Sequence, residues 1–212
     1  MHKKRSELPR EIPLPRKGTK YVSVASHFQN NKMPLIFILR DILKIARTKH
    51  ETKKICLGGN IKVNGRVIKD IKFPIGLRDF VEVEEKCYKV ILKNKKYFLE
   101  EIKKEKKRIL KVIGKKILKD KKVQANLEDG TNLLIKEKFS LGDSVILSSP
   151  ENKLIKILSL KEGANVEIVK GKYLGKIGKV VSIEKVGEKT MFKIKFDDGE
   201  ALLSKEALLV IE

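Results

Sequence analysis

Apolar residues recur at steps of three and four between residues 35 and 46, which is the spacing of one face of an α-helix. The recurring positions are Leu35, Ile38, Leu39, Ile42, Ile45 and Ala46. Polar residues of the same segment, such as Arg40 and Lys44, fall mostly on the opposite face. The pattern predicts an amphipathic helix that begins at Leu35 and ends at Ala46.

A second helix is predicted from Thr48, because Thr48 and Glu51 have the T-x-x-E spacing of a capping box. Its end is marked by Gly58-Gly59, since glycine tolerates the left-handed conformation of a helix C-cap. The next residues alternate, and Asn64-Gly65 separates two short apolar runs. Asn-Gly is typical of a type I′ turn, so residues 60–68 are predicted to form a β-hairpin.

Short alternating segments separated by turn residues continue through the rest of the chain, and this pattern predicts β-structure. Asp129-Gly130 marks a hairpin in the middle of the chain, and Asp197-Asp198-Gly199 marks a turn near its end. Close to the C-terminus, Gly175 and Gly178 lie in a loop bracketed by apolar strands. We expect these glycines to allow a tight turn with close backbone approach.

These patterns predict an α+β chain that is mostly β and divides into four parts. The parts are a basic arm and linker at residues 1–34, a helix and hairpin module at 35–85, a central β domain at 86–160, and a small five-stranded barrel at 161–212.

The charge of the chain is strongly positive, with 49 lysines and arginines against 27 acidic residues and a net charge of +22. Such an excess favours a nucleic acid or an anionic membrane surface as partner. Arg47, Lys49, Lys53 and Lys54 surround the start of the second helix, and Lys62 and Arg66 flank the hairpin turn. A helix start attracts anions, so phosphates are the expected ligands. The alternative is a solvated basic rim without a partner.

The first twenty residues contain seven basic and two acidic residues and no periodic apolar positions. Their densest basic points are His2-Lys3-Lys4-Arg5 and Arg16-Lys17. This composition predicts an extended arm that is disordered until an anionic partner neutralises it. The alternatives for the bound role are an arm that threads between RNA helices and a featureless flexible tail.

Several other classes are disfavoured by the sequence. No run of about 18 apolar residues exists, so a membrane span is not expected. The first residues lack the apolar core of a secretory signal. Two cysteines, Cys56 and Cys87, and three histidines do not have zinc-site spacing, and the thiols are interpreted as packing residues. No catalytic constellation stands out, so we expect no enzyme activity, no cofactor and no metal.

The helix and hairpin module resembles the alpha-L RNA-binding motif. The residues that carry the resemblance are Leu39-Arg40-Asp41 with Leu43, Ala46-Arg47-Thr48, the Gly58-Gly59 helix end and Lys62-Val63-Asn64-Gly65-Arg66. The glycine-rich segment at 163–183 is similar to the KOW motif, which implies an SH3-like barrel.

The order of arm, alpha-L module, basic β domain and KOW segment resembles one family from end to end. This is the family of small-subunit ribosomal protein four of the archaeal and eukaryotic "e" type. The resemblance implies a structural component of the small subunit that binds rRNA, supports assembly and translation, and contacts neighbouring ribosomal proteins in the cytoplasm, with no membrane or small-molecule substrate. A free RNA-binding regulatory or elongation factor is the alternative.

The residues expected to contact RNA come from all but the central part of the chain. They are His2, Lys3, Lys4, Arg5, Arg16, Lys17, Arg40, Arg47, Lys49, Lys53, Lys54, Lys62, Asn64, Arg66, Lys172 and Lys176.

Overall fold

Alternating apolar residues are buried in three separate clusters, each beneath its own antiparallel sheet of five strands. The computed structural model describes residues 2–27, 32–102, 107–119, 122–148, 151–187, 189–197 and 199–212. The chain divides into two units, Met1–Glu105 and Lys106–Glu212. Helix is confined to short segments of the described residues. The coarse expectation of a mostly β chain with few helices is therefore confirmed.

The N-terminal segment is folded, so the prediction of an arm that is disordered without RNA is wrong. Strand β1, His2–Lys4, pairs antiparallel with strand β2, Tyr21–Ser23. The side chain of Ile12 is buried in the core of the first unit, and Leu8 and Leu14 pack against it. Three apolar residues at irregular spacing anchor this loop, and irregular spacing gives no periodic signal in the sequence.

The first helix is shorter and wider than predicted. It is a π-helical segment, Phe37–Ile42, in which the N–H of Leu43 donates to the carbonyl of Ile38. The chain then turns at Lys44, whose φ of 55° cannot continue a helix. Every side chain from residue 35 to 39 is buried, and only Arg40, Asp41 and Ile42 at the end of the segment are partly exposed. Residues 35 to 39 are five consecutive apolar residues, so the three- and four-residue steps among them do not mark a single buried face.

The second helix and the hairpin follow the sequence closely. Helix α1, Lys49–Leu57, has Thr48 as its N-cap with the complete capping box. At its C-terminus Gly59 takes a φ of 78°. Asn64 and Gly65 both have positive φ, as a type I′ turn requires. These predictions are confirmed.

The first sheet is larger than the sequence pattern predicts. Its order is β5-β4-β7-β8-β9. The strands are β4 Ile61–Val63, β5 Arg66–Val67, β7 Phe80–Val83, β8 Lys86–Lys93 and β9 Lys96–Ile102, while β3 Met33–Pro34 pairs with β6 Pro74–Ile75. The sheet thus runs past the boundary expected after residue 85. Alternation indicates that 86–102 is a hairpin, but it does not indicate which sheet the hairpin joins.

The second unit contains two sheets. The central sheet has the order β12-β11-β10-β13-β14 and the C-terminal sheet the order β18-β17-β16-β15-β19. The central strands are β10 Lys107–Ile117, β11 Val123–Leu127, β12 Asn132–Ile135, β13 Ser144–Ser148 and β14 Leu154–Leu158. The C-terminal strands are β15 Asn165–Ile168, β16 Ile177–Val186, β17 Lys189–Phe196, β18 Gly199–Ser204 and β19 Leu208–Val210. The hairpin predicted at Asp129-Gly130 joins β11 to β12.

The two glycines of the C-terminal loop have the roles expected of them. Gly175 takes a φ of 80°, which suits a tight turn. A Cβ on Gly178 would lie 2.7 Å from Cγ2 of Ile194 and 2.7 Å from the carbonyl oxygen of Lys195, so the backbones approach closely there. Five strands are present as predicted, and their closure into an SH3-like barrel stays a prediction.

A buried lysine joins the two sheets of the second unit. Lys111 in β10 is 6% exposed, and its ammonium donates to the backbone carbonyls of Lys205 at 2.5 Å and Leu208 at 2.7 Å. Burial lowers the pKa of Lys111 to about 8, although the nearby charge of Glu128 raises it. The loss of solvation outweighs the attraction of the acid.

Because the pKa of Lys111 is lower in the folded than in the unfolded chain, stability should rise with pH from about 8 to 10.5. In that window the unfolded chain binds more protons at this site. Lys111→Met should lose this rise in the free energy of unfolding, measured by denaturant titration across the window. Lys116→Met, at an exposed position of the same strand, is the matched control. Equal pH slopes in the two variants would contradict the assignment.

Candidate nucleic-acid interface

The start of helix α1 is closed by its own side chains. The hydroxyl of Thr48 accepts from the N–H of Glu51 at 3.2 Å. The carboxylate of Glu51 accepts from the N–H of Arg47 at 2.8 Å and from the N–H of Thr48 at 3.4 Å. The N–H of Arg47 and the contacts with Thr48 hold the pKa of Glu51 below its usual range. The cap is therefore complete at neutral pH and weakens only as the pH falls through that lowered pKa.

This cap changes the expected mode of phosphate binding. A carboxylate occupies the helix start, where the sequence analysis expected backbone N–H groups to receive a phosphate together with the lysines. The negative charge of Glu51 would oppose a phosphate at this point, so we expect the side chains to contribute more to phosphate binding than the N–H groups. The basic side chains remain as the anion-binding groups of this helix.

The lysines of α1 lie on its open face. Thr52 and Cys56 are buried and mark the inner face, while Lys49, Lys53 and Lys54 are exposed. At 100° per residue, His50 and Leu57 fall between Lys53 and Lys54. Leu57 is 55% exposed, which places an apolar side chain among the cations. His50 and Leu57 are not among the residues predicted from the sequence, because neither carries the charge signal on which that prediction depended.

The hairpin turn contributes two exposed cations and one structural amide. Lys62 and Arg66 are exposed on neighbouring strands. Asn64, in contrast, uses its side chain internally: its amide donates to Asp79 at 2.9 Å, and its oxygen accepts from the N–H of Phe80 at 2.9 Å. Asp79 is buried and also accepts from the N–H of Gly76 at 2.8 Å. This geometry gives Asn64 the role of fixing the turn.

Asn64→Ala should lower the free energy of unfolding by about 2–3 kcal/mol, because two hydrogen bonds next to a buried carboxylate are removed. Asn94→Ala is the matched control, since Asn94 has a similar φ of 52° in another hairpin turn but an exposed side chain. Placing alanine at a positive φ destabilises the folded state, and this loss of stability is then the same in both variants. Denaturant unfolding measures the difference, and equal losses would show that only backbone conformation matters.

Two further arginines from the sequence prediction are engaged within the protein. Arg40 forms a bidentate pair with Asp41, with distances of 3.0 and 2.9 Å. The guanidinium of Arg5 donates to the carbonyls of Pro15 and Thr19 and to the hydroxyl of Thr19, at 2.7 to 3.0 Å. Both side chains thus have structural partners. The other basic residues predicted for the arm, Lys3, Lys4, Arg16 and Lys17, are exposed, and His2 contributes its backbone to β1.

The C-terminal loop presents two more of the predicted residues. Lys172 and Lys176 are exposed. The ammonium of Lys172 lies 5.7 Å from the ring centroid of Tyr173, and that ring stacks on Phe196 at 5.3 Å. The aromatic pair fixes the base of the loop and leaves the charge at its surface.

The chemistry available in the described residues is that of charge and hydrogen bonding. No group of three or more His, Cys, Asp or Glu could hold a metal ion in the part of the chain that the structure describes. Cys56 and Cys87 are both buried, and burial, with the charge of Asp70, raises the pKa of Cys56 to about 11. That thiol is protonated at neutral pH and is a packing group. No described helix is long and apolar enough to cross a bilayer.

Comparisons with known proteins identify the module that carries helix α1. The S4 domain model matches residues 33–81, and the model of the ribosomal family S4e matches residues 84–154. A small ribosomal subunit protein eS4 from Archaeoglobus fulgidus is 37% identical over 187 residues, which cover 86% of this chain and 80% of that protein. The chain belongs to the eS4 family of small ribosomal subunit proteins.

Other members of the eS4 family agree in sequence and in fold. The eS4 protein of Methanocella arvoryzae is 35% identical over 191 residues, covering 87% of this chain and 82% of that protein. The crystal structure of the 30S ribosomal protein S4e from Thermoplasma acidophilum superposes with a TM-score of 0.73 at 26% identity. The match covers 86% of this chain and 96% of the solved chain.

Membership of the eS4 family confirms the resemblance found in the sequence. It is a family of structural ribosomal proteins with an S4 RNA-binding domain and not of enzymes, as predicted. The assignment of individual residues to RNA contacts stays a prediction.

Proposed function

We propose that this chain is a structural component of the small ribosomal subunit, where it binds rRNA, contacts neighbouring small-subunit proteins and supports assembly and translation in the cytoplasm. The observation that carries the proposal is the exposed lysine face of helix α1 within an S4 domain of an eS4 protein. Lys49, Lys53 and Lys54 project from a helix whose inner face is fixed in the core, so their positions are set before RNA arrives.

The binding mechanism is neutralisation of phosphates by exposed side chains. Lysines and arginines that contact phosphates release counterions, and this makes affinity strongly dependent on salt. Such contacts fix position and orientation without reading bases. We assign the main contacts to α1, with Lys62 and Arg66 extending the surface at the hairpin. Arg5, Arg40 and Asn64 support the protein surface through their internal partners.

The C-terminal sheet supplies a second, smaller contact. We infer that it closes as a KOW barrel and that the loop with Lys172 and Lys176 faces RNA. The left-handed Gly175 and the close approach at Gly178 support this role, since both hold the loop in a fixed shape. Recognition would then rest on RNA shape and backbone at two points of the chain.

A salt-resistance experiment separates a structural component from a free factor. The chain, tagged in its native host, is followed through sucrose gradients of ribosomes in low and in high salt. A structural component stays with the small subunit in high salt at a stoichiometry of one copy per subunit. Release of the chain into the soluble fraction, or substoichiometric amounts in low salt, would favour the regulatory or elongation factor instead.

A further inference from the structure

A cavity of about 550 Å³ lies in the first unit, between residues 5–16 and the start of strand β9. Four cationic side chains line it, and none of its lining residues is acidic: the cations are Arg5, Arg10, Arg16 and Lys96. Its volume is in the range of pockets that hold small ligands. The electrostatic character of the cavity therefore selects for an anion.

The floor of the cavity is apolar. Leu8, Ile12 and Leu14 line it, and the same three side chains belong to or pack against the core of the first unit. They cannot swing away from the cavity without leaving that core. A ligand that fills this space gains by covering apolar surface as well as by pairing its charge. Inorganic phosphate would use only the cations.

One wall of the cavity is held rigidly. The guanidinium of Arg5 donates three hydrogen bonds within the segment, to Pro15 and Thr19. Gly18 lies against the guanidinium, because an added Cβ would be 2.9 Å from Nη2 of Arg5. Two of the five N–H groups of this guanidinium are not used by these bonds. The charge is thus held in place, which lowers the entropic cost of binding an anion.

The sheet contributes a further lining residue to the cavity. The N–H of Tyr97 donates to the carbonyl of Glu11 at 2.8 Å, and this bond holds the start of β9 beside the N-terminal segment. Lys96 reaches the cavity for this reason. Neither Arg10 nor Lys96 stood out in the sequence, because they are far apart along the chain and only the fold brings them together.

We propose that this cavity receives one unpaired nucleotide of the rRNA, with its base on the apolar floor and its phosphates among the cations. The inference deepens the proposed function and rests on it, since it names the element of RNA that the N-terminal segment recognises. A nucleotide has an apolar face and an adjacent anionic group, which is the combination that the floor and the walls require. Extrahelical bases are also the elements of RNA that side chains reach most readily.

The test uses the full chain and small-subunit rRNA transcribed with 4-thiouridine in place of uridine, repeated with 6-thioguanosine for guanosine. Irradiation crosslinks a base to the side chains that touch it, and mass spectrometry identifies the peptide and the nucleotide. We expect crosslinks between the segment 8–14 and one unpaired nucleotide. Crosslinks at helix α1 without any at 8–14 would overturn the nucleotide pocket but leave the proposed function standing. If the full chain bound no rRNA at all, that result would instead contradict the proposed function.

A pair of variants measures the contribution of the cavity to affinity. The double variant Arg10→Gln, Lys96→Gln removes two exposed positive charges that line the cavity. Because these two cations can no longer pair with phosphates, the affinity for rRNA should fall by about tenfold at physiological salt. Lys69→Gln with Lys86→Gln makes the same charge change at exposed positions that do not line the cavity. The proposal would be overturned if the two double variants lost affinity equally. It would also be overturned if the crosslinks at residues 8–14 went to base-paired nucleotides.

Discussion

Replacing Lys49, Lys53 and Lys54 together by alanine should lower the affinity for small-subunit rRNA by about a hundredfold at physiological salt. The three side chains are exposed on the open face of α1, and the capping box and the buried face do not involve them. Alanine has a higher helix propensity than lysine, so the fold should be retained. The slope of log affinity against log salt should shrink by roughly 0.7 to 0.9 for each replaced lysine that pairs with a phosphate. Filter binding across a salt series measures both quantities.

The matched control removes the same number of charges elsewhere. Lys161, Lys179 and Lys185 are exposed residues of the nearly neutral C-terminal region. Their replacement by alanine should leave the affinity within a few-fold of wild type, with circular dichroism confirming that both triple variants are folded. If the two variants lose affinity equally and with equal slopes, binding depends on total charge alone, and α1 has no special role.

The features that could be predicted from the sequence are those fixed by neighbouring residues. Thr48 and Glu51 make the capping box by themselves, and Asn64-Gly65 sets the backbone of its own turn. Gly178 lies where the chain approaches a neighbouring strand closely, and its place in a glycine-rich loop between apolar strands predicted that approach. Such signals are read correctly because each depends on only a few consecutive residues.

Features that depend on distant partners could not be predicted in this way. Residues 35 to 39 are all buried, so the apolar spacing at the start of the first helix did not distinguish a buried face from an exposed one. The N-terminal segment is held by Ile12 and by the hydrogen bonds of Arg5, and neither has a periodic signature. Strands β8 and β9 have clear alternation, yet their place in the first sheet is decided by pairing with β7.

The candidate interface shows the same division. Exposed cations of α1 could be identified from the sequence, because a helix and its buried face were already predicted. The structural role of Asn64 could not, because it depends on Asp79 at the other end of the module. Arg10 and Lys96 are likewise ordinary basic residues until the bond between Tyr97 and Glu11 brings their segments together.

Phe37→Ala should destabilise the first unit by about 3–5 kcal/mol, which is a large share of the 5–15 kcal/mol that stabilises a typical domain. Phe37 is 1% exposed and lies at the start of the first helix, against which α1 packs. The truncation leaves a cavity among side chains that are themselves buried on both sides of residue 37, and these have little room to close it by shifting. Guanidinium unfolding, followed by circular dichroism, gives the loss of stability. We expect rRNA affinity to fall as well, because the lysine face of α1 depends on this packing.

Phe98→Ala is the control for Phe37→Ala, because it deletes the same side chain from a position in β9 that is 49% exposed. Its cost should stay below about 1.5 kcal/mol, since an exposed aromatic leaves no internal cavity. The second unit has its own two apolar cores, so amide resonances of residues 106–212 should stay dispersed in both variants. A Phe37→Ala protein that loses less stability than Phe98→Ala would show that the first helix is not the centre of this core. If it keeps its stability and still loses rRNA affinity, residue 37 would have to influence α1 by a route other than packing.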